Sequence, residues 1–355
     1  MALQLAPRNV VALQTMAGNL LGDVNDPAAR RSAAALADQA LSRDAGAASA
    51  AITLAIIQGV EGGNAKSAAL MAAAERLTRR DLRANIWQVE NSVARGDVAG
   101  ALRHFDFALR TSESAPDLMY PTLNAAIGDR RLAGPIARLL ATRPPWAIPF
   151  LGQLGSAAPD LAGAAEFYLM VKRLGLDPPA IGWTAVVDRL TTAGDVARAR
   201  NVHTVLRASD PAALINDPNF RGVADSPSVF DWFPSVDEGL QVQIGGGVPQ
   251  LSFNAPAGFN GNIARQMLVL APGRYRLRNT AMLSDDNGST PAWKISCVGG
   301  DSFESIPVAT AVTAPVAFSV PAGCRAQWIV LALTLVNDER PTAAQISNVQ
   351  IERIP

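Results

Sequence analysis

Residues 94–109 read ARGDVAGALRHFDFAL, and this stretch decides the fold of the N-terminal half. Gly96 enters the left-handed backbone region that closes a helix without the steric cost a side chain would add. Asp97 follows, with a carboxylate suited to accept hydrogen bonds from the free amides that begin the next helix. Beyond it Ala101, Phe105, Ala108 and Leu109 recur at spacings that put them on one face of that helix. The small Ala101 admits a neighbouring helix, and the Phe105 ring fills the groove beside it. The stretch therefore predicts the end of one helix, a tight turn and a second helix packed back as a hairpin.

The pattern recurs. Gly63-Asn64, Gly96-Asp97, Gly128-Asp129 and Gly194-Asp195 lie about 33 residues apart or a multiple of that, and Pro159-Asp160 fills the vacant place. A weaker first unit begins near Asn25-Asp26. An alanine follows each strong break (Ala68, Ala101, Ala133, Ala164, Ala199), and three units carry a ring further on: Phe105, Tyr168 and His203. A single hairpin cannot bury its apolar face, so such units stack into a solenoid. Residues 94–109 resemble the turn and second helix of a tetratricopeptide repeat, with Gly96, Asp97, Ala101, Phe105, Ala108 and Leu109 in its small and aromatic slots. The segment AGDVARA at 193–199 matches again, with His203 in the aromatic slot. The first helices depart from that pattern, with Trp87 and Gln88 one residue out of frame, and the resemblance covers about residues 25–208. The first-helix face bearing Trp87, Glu90 and Asn91 is the candidate groove for a protein partner. Packing between hairpins is the competing role for Trp87.

Near residue 210 the period changes. Alternating runs such as LQVQI, RYRLR and WKISC appear, separated by Pro, Gly, Asn and Asp. Strands are expected at 229–233, 240–244, 250–254, 265–270, 274–282, 293–298, 316–320, 327–336 and 345–354. With no helical stretch between them they predict an antiparallel β-sandwich of jelly-roll type. The fold class is thus α + β multidomain: an all-α helical-hairpin repeat solenoid over 1–210, then an antiparallel β-sandwich over 211–355. The opening Asn216-Asp217-Pro218-Asn219-Phe220 and the closing Ile346-Ser347-Asn348-Val349-Gln350-Ile351 resemble the ends of galactose-binding-like modules. Those are small jelly rolls that often bind sugars, so the resemblance implies a carbohydrate-binding role.

Length and composition narrow the classes. A chain of 355 residues is long enough for two cores, and 49% hydrophobic against 17% charged residues marks it as globular. The formal net charge of zero argues against an electrostatic grip on nucleic acid. No apolar run is long enough to span a membrane. The first residues read as the interior of a helix and not as a secretory leader, so the chain either is cytoplasmic or begins after a targeting segment. Cys297 and Cys324 are either two buried thiols or one disulfide; their confinement to the β half tilts the reading to the disulfide and an oxidising compartment. Four zinc ligands are not available near them.

Catalytic groups are sparse. No nucleophile elbow, phosphate loop or paired-histidine zinc motif occurs. Gly245-Gly246-Gly247 reads as a hairpin turn. His104 and His203 ride on second helices, where His203 replaces a packing ring and His104 flanks one, and each reads as structural or solvated. Asp285-Asp286-Asn287-Gly288 fits an exposed turn or a calcium loop, and no cofactor or metal is expected. Binding groups are better supplied. Arg274, Arg276 and Arg278 share one face of a strand whose other face carries Tyr275 and Leu277, and guanidinium groups bind carboxylates in a two-pronged fashion. The competing role is an ordinary solvated sheet face. Trp293 and Trp328 are expected in the core. Trp232, beside Asp231 at the sandwich edge, is the best open candidate for a ring on which a sugar would stack, with the core as its competing place. The expected protein is a non-catalytic binding or scaffold protein of the bacterial envelope. Its repeats hold a protein partner and its sandwich an anionic polysaccharide, in a periplasmic setting. The order of repeats then sandwich resembles accessory proteins of exopolysaccharide assembly. A polysaccharide lyase or hydrolase, and a purely protein-binding adaptor, are the alternatives.

Overall fold

The computed structural model describes residues 8–284, 291–308, 311–312, 314–334 and 340–355. Among the described residues twelve helices come first: α1 Val10–Leu20, α2 Pro27–Arg43, α3 Ala48–Val60, α4 Asn64–Leu77, α5 Leu82–Ala94, α6 Val98–Thr111, α7 Ala115–Ala126, α8 Arg130–Ala141, α9 Ala147–Ala157, α10 Leu161–Arg173, α11 Ala180–Thr192 and α12 Val196–Arg207. Consecutive helices pair as hairpins, α1 with α2, α3 with α4, α5 with α6 and α11 with α12. The turns follow the chemistry of their residues. Gly96 and Gly194 are left-handed at φ 70° and 86°. Asp97 Oδ1 accepts from Gly100 N at 2.8 Å and Asp195 Oδ1 from Arg198 N at 3.2 Å, so each caps its helix. Asp160 does the same for α10 through Gly163 N, at 3.0 Å.

One repeat sits a residue out of the expected frame. At the α3–α4 turn the left-handed residue is Gly62, and Asn64 is already helical. The small side chain that faces the neighbouring helix is accordingly Ser67, whose hydroxyl donates to Ala55 O at 2.7 Å, while Ala68 is exposed. Ala101, Ala133, Ala164 and Ala199 are buried as expected, and so are Phe105, Tyr168 and His203.

Secondary structure changes after Arg207, but compactness divides the chain elsewhere. One unit comprises residues 1–126 with 130–147, and the other 127–129 with 148–355. The first has alanine-rich cores; Leu13, Ala17, Ala37 and Ala40 form one, and Ile52, Ala55, Met71 and Ala74 another. The second unit contains the body of α9, helices α10–α12 and all the strands. Within it α9 and α11 touch backbone to backbone. A Cβ built on Gly155 would lie 1.7 Å from Gly182 O, and one on Gly182 would lie 2.1 Å from Leu151 O, so both positions require glycine. The Arg189 guanidinium donates to Gly155 O at 2.8 Å and Ala158 O at 2.9 Å, satisfying carbonyls that the end of α9 leaves open.

Among the described residues eleven strands follow: β1 Phe233–Pro234, β2 Gln241–Ile244, β3 Leu251–Ala255, β4 Gly261–Leu268, β5 Gly273–Leu283, β6 Pro291–Cys297, β7 Ser302–Pro307, β8 Ala311–Val312, β9 Val316–Val320, β10 Gln327–Leu333 and β11 Thr342–Arg353. They form two sheets, ordered β1-β4-β10-β6-β7 and β2-β3-β11-β5-β8, with β9 also on β5, and every pairing is antiparallel. The predicted 229–233 strand is only a two-residue β1, and β7 and β8 were not expected. Between the sheets lie Phe220, Trp232, Trp293, Tyr275, Leu277, Ile295, Ile329 and Ile346. The disulfide is present: Cys297, ending β6, joins Cys324, before β10, with Cα atoms 5.5 Å apart.

Candidate functional site

Side chains on a strand alternate between faces, so pairing and register define the outer surface of a sheet. On β5, Tyr275 and Leu277 are buried while Arg274, Arg276 and Arg278 are exposed, as the sequence predicts. Register places Arg276 opposite Glu352 and Arg278 opposite Gln350 on β11. Arg276 donates Nε to Glu352 Oε2 at 2.8 Å and adds a second bond from Nη2. Arg278 donates Nε to Gln350 Oε1 at 2.8 Å, with a second bond from Nη2, and its Nη2 lies 3.8 Å from Glu352 Oε1. Glu352 is held below the usual carboxylate range, chiefly by the hydrogen bonds and charge of Arg276. This corrects the expectation of three arginines free for an anionic glycan: two are already engaged by their own sheet. Arg274 is separate and borders a hollow with Phe303, Glu304 and Phe318.

The other end of the same face is uncharged. On β2, Val242 packs toward the core and Gln241 and Gln243 point outward. Gln241 lies opposite Asn254 of β3, and Gln243 opposite Ser252. Gln345 of β11 continues the second row beside Ser252. Among the described residues, the side chains of Gln241, Gln243, Asn254 and Gln345 have no hydrogen-bond partner. A groove of about 590 Å³ runs over β2 and β3, lined by Gln241, Gln243, Ser252, Asn254, Val236 and Leu240. Val236 is 97% exposed. The arrangement offers amide donors and acceptors beside small apolar patches, and no ionisable side chain lines it. None of these residues stands out in the sequence as a binding group. The signal was present as Gln-x-Gln in LQVQI, but only the register shows what stands beside each glutamine.

Three other expectations are corrected. Trp232 is buried, not open: its Nε1 donates to Asp217 O at 3.1 Å, and its ring lies 4.9 Å from that of Phe220 and 5.8 Å from that of Trp293. No face is left for a sugar. Asp231 is also buried and is consumed by five protein donors. Oδ1 receives His203 Nε2 and Asn216 Nδ2, each at 3.2 Å, and Oδ2 receives Arg207 Nη2 at 2.7 Å with Ser228 N and Oγ at 2.8 and 3.3 Å. Trp328 is not in the core: it is half-buried on the outer side of its sheet, with the Arg265 guanidinium 4.9 Å from the ring centre. Trp293 is in the core as expected.

In the helical part, Trp87 is half-buried against the Met71 core, Glu90 is exposed and Asn91 is half-buried. His104 is buried, with Nδ1 3.3 Å from Asn85 Oδ1, and burial lowers its pKa. Both histidines are therefore packed inside. The acidic turn Asp285–Gly288 lies outside the described residues. Among the described residues no cluster of metal-ligating side chains occurs, and no helix is long and apolar enough to cross a membrane.

The chain is thus a helical-hairpin protein with an antiparallel sandwich at its C-terminal end. No protein-family model matches it, and no curated protein is similar in sequence. Among solved structures it is similar to TmCBM61 in complex with β-1,4-galactotriose, at 16% identity and TM-score 0.29, over 40% of this chain and 99% of that one. It is also similar to PilW, a type IV pilus biogenesis factor, at 19% identity and TM-score 0.30, over 57% and 94% of the two chains. A third likeness is to the enzymatically active domain of tailspike protein 4 of bacteriophage CBA120, at 18% identity and TM-score 0.27, over 39% and 22%.

Proposed function

We propose that this chain is a non-catalytic binding protein whose sandwich holds a glycan on the outer face of the six-stranded sheet, while its helical hairpins hold a protein partner. The observation that carries the reading is the set of outward amides, Gln241, Gln243, Asn254 and Gln345, with no partner among the described residues. Amides that pair with hydroxyl groups of a sugar give both a donor and an acceptor at one position. The adjacent Val236 and Leu240 suit the C–H surface of a sugar ring, as the apolar lining of small-molecule sites generally does. General acid-base cleavage of a glycosidic bond needs paired carboxyl groups at the site. The groove is lined by amides, hydroxyls and apolar groups, without a carboxyl group, which favours retention of the glycan over cleavage. The Cys297–Cys324 disulfide suits an oxidising compartment such as the periplasm. A scaffold in polysaccharide assembly or export is the role we propose for a chain with these two kinds of binding surface. Screening the full chain on an array of uncharged and uronate-containing glycans tests the proposal. Retention of uncharged glycans is expected, and absence of retention across the array would overturn it.

A further inference from the structure

The arginine end of the same sheet face has its own chemistry. Arg276 and Arg278 stand two residues apart on β5, with their guanidinium groups turned to one side, 52% and 44% exposed. Together with Pro315 they border a hollow of about 150 Å³, and Glu352 sits in it, its two oxygens directed at the two arginines. Gln350 supplies a second acceptor to Arg278, and its own amide is fixed by donation to Asn348 Oδ1 at 2.7 Å. Two guanidinium groups around one carboxylate is the geometry in which a uronate would be held. Here the carboxylate comes from the chain itself.

We infer that Glu352 is a specificity-determining residue: it occupies an arginine site for glycan carboxylates, so the face accepts uncharged glycans and discriminates against acidic ones. The inference rests on the glycan reading above and adds which class is refused, and why. An incoming uronate must displace Glu352 from the guanidinium groups, and the displaced carboxylate, tethered to β11, then stands beside it as a like charge. Discrimination built from an unfavourable contact of this kind is a general route to specificity. An uncharged chain lying over Gln241, Gln243, Asn254 and Gln345 meets no such opposition.

The test is affinity electrophoresis of the full chain in gels containing polygalacturonate or an uncharged β-glucan, each compared with a gel lacking polysaccharide. Glu352→Gln is expected to bind polygalacturonate up to about fivefold more tightly than the unaltered chain, as one exposed charge-assisted contact becomes available. Glu113→Gln removes one negative charge from a helical turn and is expected to give no gain. The Arg276→Gln/Glu352→Gln double variant is expected to lose the gain. Exposed ion pairs contribute little to folding, so all three variants are expected to fold. No gain in Glu352→Gln, an equal gain in Glu113→Gln, or a gain that survives loss of Arg276 would each overturn the inference. The uncharged β-glucan gel reads the glycan proposal separately, through the unaltered chain alone.

Discussion

His203 Nε2 lies 3.2 Å from Asp231 Oδ1, both residues buried, joining the last helix to the approach of the sandwich. Around this contact Arg207 donates to Asp231 Oδ2 and to Ser226 O, and Asp188 Oδ1 accepts from Val229 N at 3.1 Å. The His203 ring lies 5.5 Å from that of Phe230, and the Arg200 guanidinium also stands over Phe230. Helices α11 and α12 are thus bound to the segment that leads into β1 by buried polar contacts and not by apolar packing alone. Removing one partner of a buried charged pair leaves the other without compensation. Asp231→Ala is therefore expected to destabilise the protein by about 3 kcal/mol, read by urea denaturation. A change below about 1 kcal/mol, the range of an exposed ion pair, would show that the cluster is not the fastener described.

Acid is expected to loosen the same junction. Burial opposes the ionised form of Asp231, but donation from His203, Ser228 and Arg207 outweighs it and brings the pKa from 3.8 down to about 2. A carboxylate with a lowered folded-state pKa contributes stability above its unfolded value that is lost as pH falls. The loss from Asp231, about 2 kcal/mol, is expected between pH 3.8 and about 2. His203 is lowered from 6.5, first by burial, so it is neutral in the fold at pH 7 and Arg207 supplies the positive charge beside Asp231. The unfolded chain takes up that proton more readily, so stability begins to fall as pH drops through 6.5. Urea midpoints measured from pH 7 to pH 2.5 check both steps. His203→Gln is expected to remove the earlier one and to shrink the later, since His203 is among the groups that lower Asp231, leaving the part that Ser228 and Arg207 supply.

Truncation separates the boundary of secondary structure from that of compactness. A chain ending at Asp210 keeps every helix but strips His203, Arg200 and Arg207 of Asp231 and Phe230. Exposed ends of repeat arrays need covering. That fragment is expected to aggregate, or to melt its last helices well below the full chain, by circular dichroism and light scattering. A chain of residues 148–355 is expected to unfold in one transition. Independent, undisturbed melting of the 1–210 fragment would contradict this.

The disulfide closes a loop with a sequence separation of 27. In the loop-entropy view such a link stabilises by roughly 3 kcal/mol. Cys297→Ser/Cys324→Ser is expected to lower the stability of the second unit by that order, and non-reduced peptide mapping of protein from its native compartment is expected to show the link. Two free thiols there would argue against an oxidising setting.

Much of the architecture was legible in the chain. Gly-Asp breaks with alanines and rings at fixed offsets specify hairpins through local chemistry, and Arg-Tyr-Arg-Leu-Arg specifies a half-buried strand through alternation. The disulfide was legible because both cysteines fall in the one β half. Other features depend on neighbours that sequence order does not provide. Trp232 and Asp231 are expected at an open sandwich edge, yet Phe220, Trp293 and His203 close over them from distant positions. Glu352 and Gln350 lie more than seventy residues from the arginines they engage, so the row looked free. The Ser67 frame shift shows the local limit: with two adjacent glycines, Gly62 and Gly63, the sequence leaves open which one turns left-handed.

The amide face is the centre of the account, and titration calorimetry of the full chain with an uncharged glycan retained on the array tests it most directly. Gln241→Ala/Asn254→Ala removes two outward amides from one cross-strand pair and touches no core residue. Each lost hydrogen bond to a neutral ligand costs about 1 kcal/mol, so affinity is expected to fall tenfold or more, with the melting temperature unchanged and no shortened chains after long incubation. Equal affinity in the double variant would place the ligand elsewhere, and shortened chains would make the protein an enzyme; either result contradicts the account.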